Sequence, residues 1–195
     1  MLIFAASDKY KKLGFYSILT AAVICLAYNS FSATWYSVSL HRRLGIQVKG
    51  YLPLAMAVIP ALIFGLGLLT GRLSEPMAGN YAVIAGWLLL GLIGLKIMLE
   101  SFKFHPEERV VLTDTWQTTL LLALAGSINA FFGGLALGLV NSSVLIPVAI
   151  MFVVSLMFTL AGILFGNVRG YKTAPARFGI LAGSLIVFIS IRMLF

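Results

Sequence analysis

Residues 115–168 read TWQTTLLLALAGSINAFFGGLALGLVNSSVLIPVAIMFVVSLMFTLAGILFGNV, 54 residues without one charged side chain. A helix needs about 20 predominantly apolar residues to cross the hydrocarbon core of a bilayer. This run is too long for a single crossing. The polar triplet Asn141-Ser142-Ser143, with Pro147 just beyond it, divides the run into two spanning helices joined by a tight turn. The apolar residues are continuous rather than alternating, which argues against a β-barrel.

The rest of the chain extends the pattern. Between Lys12 and His41 lie 28 uncharged residues, Gly50–Gly71 supplies 22, and Pro76–Leu95 supplies 20. The last run, between Arg177 and Arg192, has only 14. It reaches spanning length if both arginines snorkel to the interfaces. The expected fold class is an all-α integral membrane protein with six transmembrane helices, at about 14–39, 50–71, 77–99, 118–140, 143–166 and 175–194. A tail at 1–13 precedes the first three-helix unit (14–100), and a loop at 101–117 leads to the second (118–195). Composition agrees: 61% of residues are hydrophobic and 10% charged, whereas a soluble domain carries about 25% charged residues. A soluble enzyme is excluded, and so is disorder, which needs low hydrophobicity and high charge.

The formal net charge is +8. The basic residues sit between apolar runs, the pattern of the cytoplasmic-loop bias, so nucleic acid is not an expected partner. Loops after helices 1, 3 and 5, with Lys96, hold nine of the Lys and Arg residues, and the other side holds five. This places both termini outside the cytoplasm, although the basic group Lys9, Lys11 and Lys12 pulls the other way. That basic group, the following apolar stretch and Ser30-Phe31-Ser32-Ala33 loosely match a cleavable leader. Cleavage there would remove half of the repeat described next, which argues against it. Cys25 is the single cysteine, so no disulfide forms within the chain, and His41 and His105 are too few to build a zinc cluster.

The two halves resemble one another. Tyr28-Asn29-Ser30-Phe31-Ser32-Ala33 in helix 1 matches Ile128-Asn129-Ala130-Phe131-Phe132-Gly133 in helix 4. Gly67 to Gly71 in helix 2 matches Gly162 to Gly166 in helix 5, and Lys96-Ile97-Met98-Leu99 matches Arg192-Met193-Leu194. Three helices per unit is an odd number, so the second unit enters the membrane upside down. Inverted repeats of this kind are typical of secondary transporters, whose sites lie near the midplane between the halves. The Gly pairs at spacing four, including Gly134/Gly138, are read as close helix packing.

Polar groups inside the hydrocarbon core are costly and often functional. Asn29 and Asn129 lie mid-helix at equivalent repeat positions, on faces made mostly of small residues: Cys25, Ser32 and Ala33 on one helix, Ala125, Gly126 and Gly133 on the other. The two amides are therefore expected to approach one another. An amide carbonyl is a hard oxygen donor suited to Mn²⁺, Mg²⁺ or Ca²⁺. The plainer alternative is a pair of hydrogen bonds across helix interfaces, worth about 0.6 kcal/mol each. The six acidic residues, Asp8, Glu75, Glu100, Glu107, Glu108 and Asp114, are assigned to tails, loops or helix ends, with none at mid-membrane. Glu100 pairs with Lys96 at spacing four. Lys96 and Arg192 are expected to snorkel, and His105-Pro106-Glu107-Glu108 reads as a solvated loop.

On these residues the chain resembles the MntP-type manganese efflux pumps of bacterial inner membranes, which are related to the LysE-type exporters. The resemblance covers nearly all of 14–195 in helix number, length and order. It rests on Asn29-Ser30-Phe31-Ser32, Asn129-Ala130-Phe131, the run Gly-Leu-Lys-Ile-Met-Leu-Glu-Ser-Phe at 94–102, and Ala182-Gly183-Ser184-Leu185 through Arg192. Where the family carries aspartate in helices 1 and 4, this chain has Asn29 and Asn129. Where the family often has a glutamate before the helix 2 proline, this chain has Leu54 to Ile59 before Pro60. Losing those carboxylates removes charge that would offset a dehydrated dication, a term on the order of several kcal/mol even at an effective dielectric constant near 20.

The resemblance and the repeat together imply a multi-pass inner-membrane exporter of Mn²⁺ or another small cation, with no cofactor and the lipid bilayer as its surroundings. Asn29 and Asn129 are the candidate metal ligands, with Ser30, Ser32 and Ser127 as lesser polar neighbours. Two alternatives stand beside it: a diverged scaffold or accessory protein that no longer pumps, and an exporter of a neutral or amino-acid-like solute. The spans hold no Ser/His, Asp/Asp or His-Glu-x-x-His constellation, so the chain is not expected to be an enzyme.

Overall fold

The computed structural model describes residues 2–45, 50–102, 115–140, 143–169 and 176–194, with side chains from Ile18 onward except at Asn80 and Arg169. Six α-helices fill it: α1 (Leu2–Leu44), α2 (Leu52–Ala78), α3 (Ala82–Phe102), α4 (Trp116–Leu139), α5 (Leu145–Arg169) and α6 (Ala176–Leu194). Each contains a segment long and apolar enough to cross a membrane, Ile18–Leu44 in the case of α1. The chain is an all-α, multi-pass membrane protein. Asn141-Ser142 and His105 to Glu108 lie outside the described residues.

Apart from α3 and α4, helices adjacent in sequence hardly pack on one another. The extensive interfaces are α1–α5, α2–α4 and α3–α6, followed by α2–α5, α3–α4, α1–α6 and α1–α4. All of these join the first three helices to the last three, and exchanging the two sets carries the pairings into themselves. The halves are interleaved rather than placed side by side. α1 lies deepest, with 67% of its spanning window buried, while α5, at 22%, lies on the outside.

Glycine makes the closest of these interfaces possible. A Cβ on Gly67 would overlap the carbonyl oxygen of Phe131, and one on Gly71 that of Leu135. In return, Gly134 and Gly138 meet the carbonyl oxygens of Phe64 and Leu68. The backbones of α2 and α4 are thus in direct contact and run parallel, since residue numbers rise together along the interface. Gly162 and Gly166 lie against Phe31 and Trp35 in the same way, so α1 and α5 are also parallel. α3 and α6 are antiparallel, with Gly94 and Gly183 facing each other. In lipid, helix association gains little from the hydrophobic effect and depends on such close approach and on interhelical hydrogen bonds.

Pro60 lies within α2, and its ring nitrogen cannot donate to the carbonyl of Met56 one turn earlier. Ser30 Oγ of α1 donates to that carbonyl at 3.3 Å. A neighbouring hydroxyl thus serves the freed acceptor, as backbone in a bilayer requires. Ser190 Oγ of α6 similarly donates to Trp87 O of α3. The Arg42 guanidinium donates to Asn167 O in the last turns of α5, where carbonyls lack helical partners. At the start of α4, Thr115 and Thr118 form a reciprocal capping box.

Two boundaries differ from the sequence reading, and the first is the start of α1, at Leu2 rather than about 14, so the segment expected as a tail is helical from there. The break between helices 2 and 3 was expected near Arg72–Glu75, with helix 3 starting at 77. Instead α2 continues through Pro76 to Ala78, and α3 begins at Ala82. Charge does not end a helix. Gly79 does, at φ 54, a left-handed value that glycine adopts without strain, and a single 3-10 turn leads into α3.

Gly71→Val and Gly134→Val each force the α2–α4 backbones apart, at a cost of about 1–3 kcal/mol or more for overpacking. Each is expected to lower the thermal midpoint and the monodisperse fraction in detergent. Gly126→Ala, where an added Cβ meets nothing within 4 Å, should leave both unchanged.

Candidate functional site

Helical periodicity places residues at i, i+3, i+4 and i+7 on one face. On α1 that face carries Asn29, Ser32, Ala33 and Tyr36, and on α4 it carries Leu122, Ala125, Gly126 and Asn129. From α3 the i, i+4 pair Lys96 and Glu100 closes the ring. These three helices enclose a cavity of about 350 Å³. Small residues make the room, since Ala33, Ala125 and Gly126 hardly project into it. A narrow extension of about 10 Å³ continues past Ser101 toward Ala176 at the start of α6. Another cleft of similar size, between α1, α5 and α6, is lined by Phe31, Phe165 and Phe178 and no charged residue. It offers an ion no grip.

Asn129 is buried, and its Oδ1 accepts a hydrogen bond from Lys96 Nζ at 2.8 Å. The same ammonium lies 3.7 Å from Glu100 Oε1. A charge-assisted chain therefore runs from Asn129 through Lys96 to Glu100, and the formal charges of the lining residues cancel. The Lys96 and Glu100 side chains remain 48% and 32% exposed. A lysine facing hydrocarbon at mid-membrane costs about 2.5–3.5 kcal/mol, so this exposure implies a hydrated cavity.

The Lys96 position departs from one expectation: rather than snorkelling, its ammonium turns to Asn129 in the cavity, while Glu100 stands in the last turn of α3, a helix end as expected. Asn129 stands near the middle of α4. With α3 starting at Ala82, only the 14 residues Ala82–Leu95 precede Lys96. Lys96 thus stands in the last third of α3, level with the middle of α4, and Glu100 follows one turn later, close to the end of α3. At that level α6 is only beginning: a Cβ on Gly179 would touch Ser101 at the end of α3 and Tyr28 midway along α1. The turn-forming pair Gly79-Asn80 is the sequence signal that would have moved the boundary.

The other candidates separate into two groups. Asn29 and Ser32 line the cavity together with Asn129. Ser32 Oγ donates to the backbone oxygen of Asn29 at 3.2 Å, while Asn29 Nδ2 is buried with no hydrogen-bond partner. A buried donor left unpaired costs about 1–3 kcal/mol. The expected direct approach of the two amides is replaced by the lysine, which takes the Asn129 oxygen. Ser30 and Ser127 are turned elsewhere: Ser30 serves Met56 O, and Ser127 donates to Ala123 O in its own helix. Among the described residues, no three His, Cys, Asp or Glu side chains converge on a possible metal position. The oxygen donors of the cavity are amides, hydroxyls and one carboxylate.

A family profile described as "Putative manganese efflux pump" matches residues 45–194. That stretch holds α2 to α6; α1, with Asn29, precedes it. Among relatives named "Putative manganese efflux pump MntP", the Methanobrevibacter smithii protein is 28% identical over 171 residues, 88% of this chain and 92% of its own. The Methanocorpusculum labreanum protein is 32% identical over 145 residues, 74% of this chain and 73% of its own. The Saccharophagus degradans protein is 32% identical over 150 residues, 75% and 77%. No solved structure matches.

If the cavity is hydrated, Ala125→Cys in a Cys25→Ser background should react with a hydrophilic maleimide. Leu160→Cys, on the outer face of α5, should stay unlabelled in membranes. Equal labelling of the two positions contradicts a water-filled cavity.

Proposed function

The chain belongs to the family of MntP-type manganese efflux pumps, and on that premise we propose that it exports Mn²⁺, or another small cation, through the cavity between α1, α3 and α4. The observation that supports this most is that Asn29 and Asn129, equivalent residues of the two halves, share one polar cavity at mid-depth. In this reading the amide oxygens of Asn29 and Asn129 are the metal ligands. Ser32 is a nearby hydroxyl, and Glu100 supplies negative charge. The unpartnered amide of Asn29 fits a side chain that turns when cargo arrives. Ser30 and Ser127 drop out, since their hydroxyls are held by backbone carbonyls.

Transport then proceeds by alternating access, with two inverted three-helix units, 14–100 and 118–195, moving against each other around the cavity. By the charge bias of the loops, both termini lie outside the cytoplasm, in the inner membrane of a bacterial cell. The cargo is a substrate and no cofactor is needed.

One observation favours a second reading. The lining residues carry no net charge, because Lys96 cancels Glu100. A neutral or amino-acid-like solute fits such a cavity, as does a diverged scaffold that no longer pumps.

Proteoliposomes loaded with a manganese-quenched dye separate these outcomes. Asn29→Leu and Asn129→Leu are each expected to cut the initial Mn²⁺ flux by about tenfold or more, since disturbing even the supporting partners of a ligand costs that much. Unchanged flux in both variants defeats the assignment. Flux that appears only after Asn29→Asp with Asn129→Asp identifies a chain that has given up manganese.

A further inference from the structure

We infer that Lys96 is a tethered counter-cation: in the empty carrier its ammonium holds the oxygen that cargo must take, and an arriving cation displaces it toward Glu100. This rests on the reading that the cavity admits a cation.

The geometry carries the inference. Lys96 Nζ stands 2.8 Å from Asn129 Oδ1, the hard oxygen donor that a small cation would seek. A cation that takes the second lone pair of that oxygen is repelled by the ammonium already on the first, so binding drives the ammonium away. Glu100 is placed to receive it, since its Oε1 already lies 3.7 Å away, one helical turn farther along α3. A lysine side chain is a flexible stem with a compact, strongly hydrated charge, so it can exchange one partner for the other by rotamer changes alone. The cavity also has room for the displaced ammonium and its water.

The consequence concerns both selectivity and turnover. With Lys96 present, the lining residues sum to zero charge, and a dication enters against a fixed positive charge. Binding is weakened, and the empty cavity is left with its central oxygen satisfied and its charge balanced. An empty carrier of that kind can reorient without a counter-ion. Without Lys96 the formal charge of the lining residues becomes −1, which favours the loaded state.

The test is Mn²⁺ binding to the full chain in lipid nanodiscs, paired with flux in proteoliposomes, for wild type, Lys96→Met, Lys96→Arg and Lys96→Met with Glu100→Gln. Lys96→Met is expected to tighten Mn²⁺ binding by on the order of tenfold, after discounting the Coulomb term for solvent in the cavity. Lys96→Arg keeps the charge and should stay within a factor of about three of wild type, which is small beside one unit charge at this range. The double variant should fall back toward wild type. In flux, Lys96→Met should slow net efflux while sparing Mn²⁺/Mn²⁺ exchange, because only the return of the empty carrier is hindered.

Binding that is unchanged or weaker in Lys96→Met overturns the inference, including the case in which neither protein binds the ion. Net efflux and exchange falling together overturns the role in the return step. Failure of the manganese reading shows up separately, as flux indifferent to Asn29→Leu and Asn129→Leu while the lysine still governs binding.

Discussion

The interface between α2 and α4 sets the depth at which everything else in this protein is arranged. Carbonyl oxygens of Phe64, Leu68, Phe131 and Leu135 rest where side chains would stand on Gly134, Gly138, Gly67 and Gly71. No other residue type permits that approach, so the two helices have one register and little freedom to slide. Asn129 lies on α4 just before this contact, and its level in the membrane follows. α3 also packs on α4, where Gly86 meets Ala136, so the level of Lys96 is bound to the same register.

A polar centre inside a bilayer has to be satisfied from within the protein. Here the requirement is met in two ways. Hydroxyls of Ser30, Ser127, Thr34 and Thr159 are absorbed by backbone carbonyls of their own or adjacent helices. In the cavity an ammonium instead bridges the Asn129 amide and the Glu100 carboxylate, while Asn29 Nδ2 stays without a partner. The first arrangement is static. The second is open to exchange, because its central group is charged, flexible and half-exposed, and that difference singles out the cavity from the other polar positions of the bundle.

Asn29 and Asn129 bring oxygen donors to the cavity without bringing charge. Asparagine keeps the size and one oxygen of aspartate but not its charge. With the lysine retained, the negative charge that remains at Glu100 is already spoken for.

Helix number and helix class were legible in the chain, because apolar run length is a local property that a bilayer reads directly. The depth of Lys96 and Glu100 was not. It depends on where α2 stops, and a glycine with a left-handed backbone decides that, not the charges nearby. Nor could spacing reveal that Ser30 answers Pro60 or that a lysine takes the oxygen meant for the second amide. Those outcomes turn on which helices touch and at what level, and the close contact of glycine-lined backbones determines both.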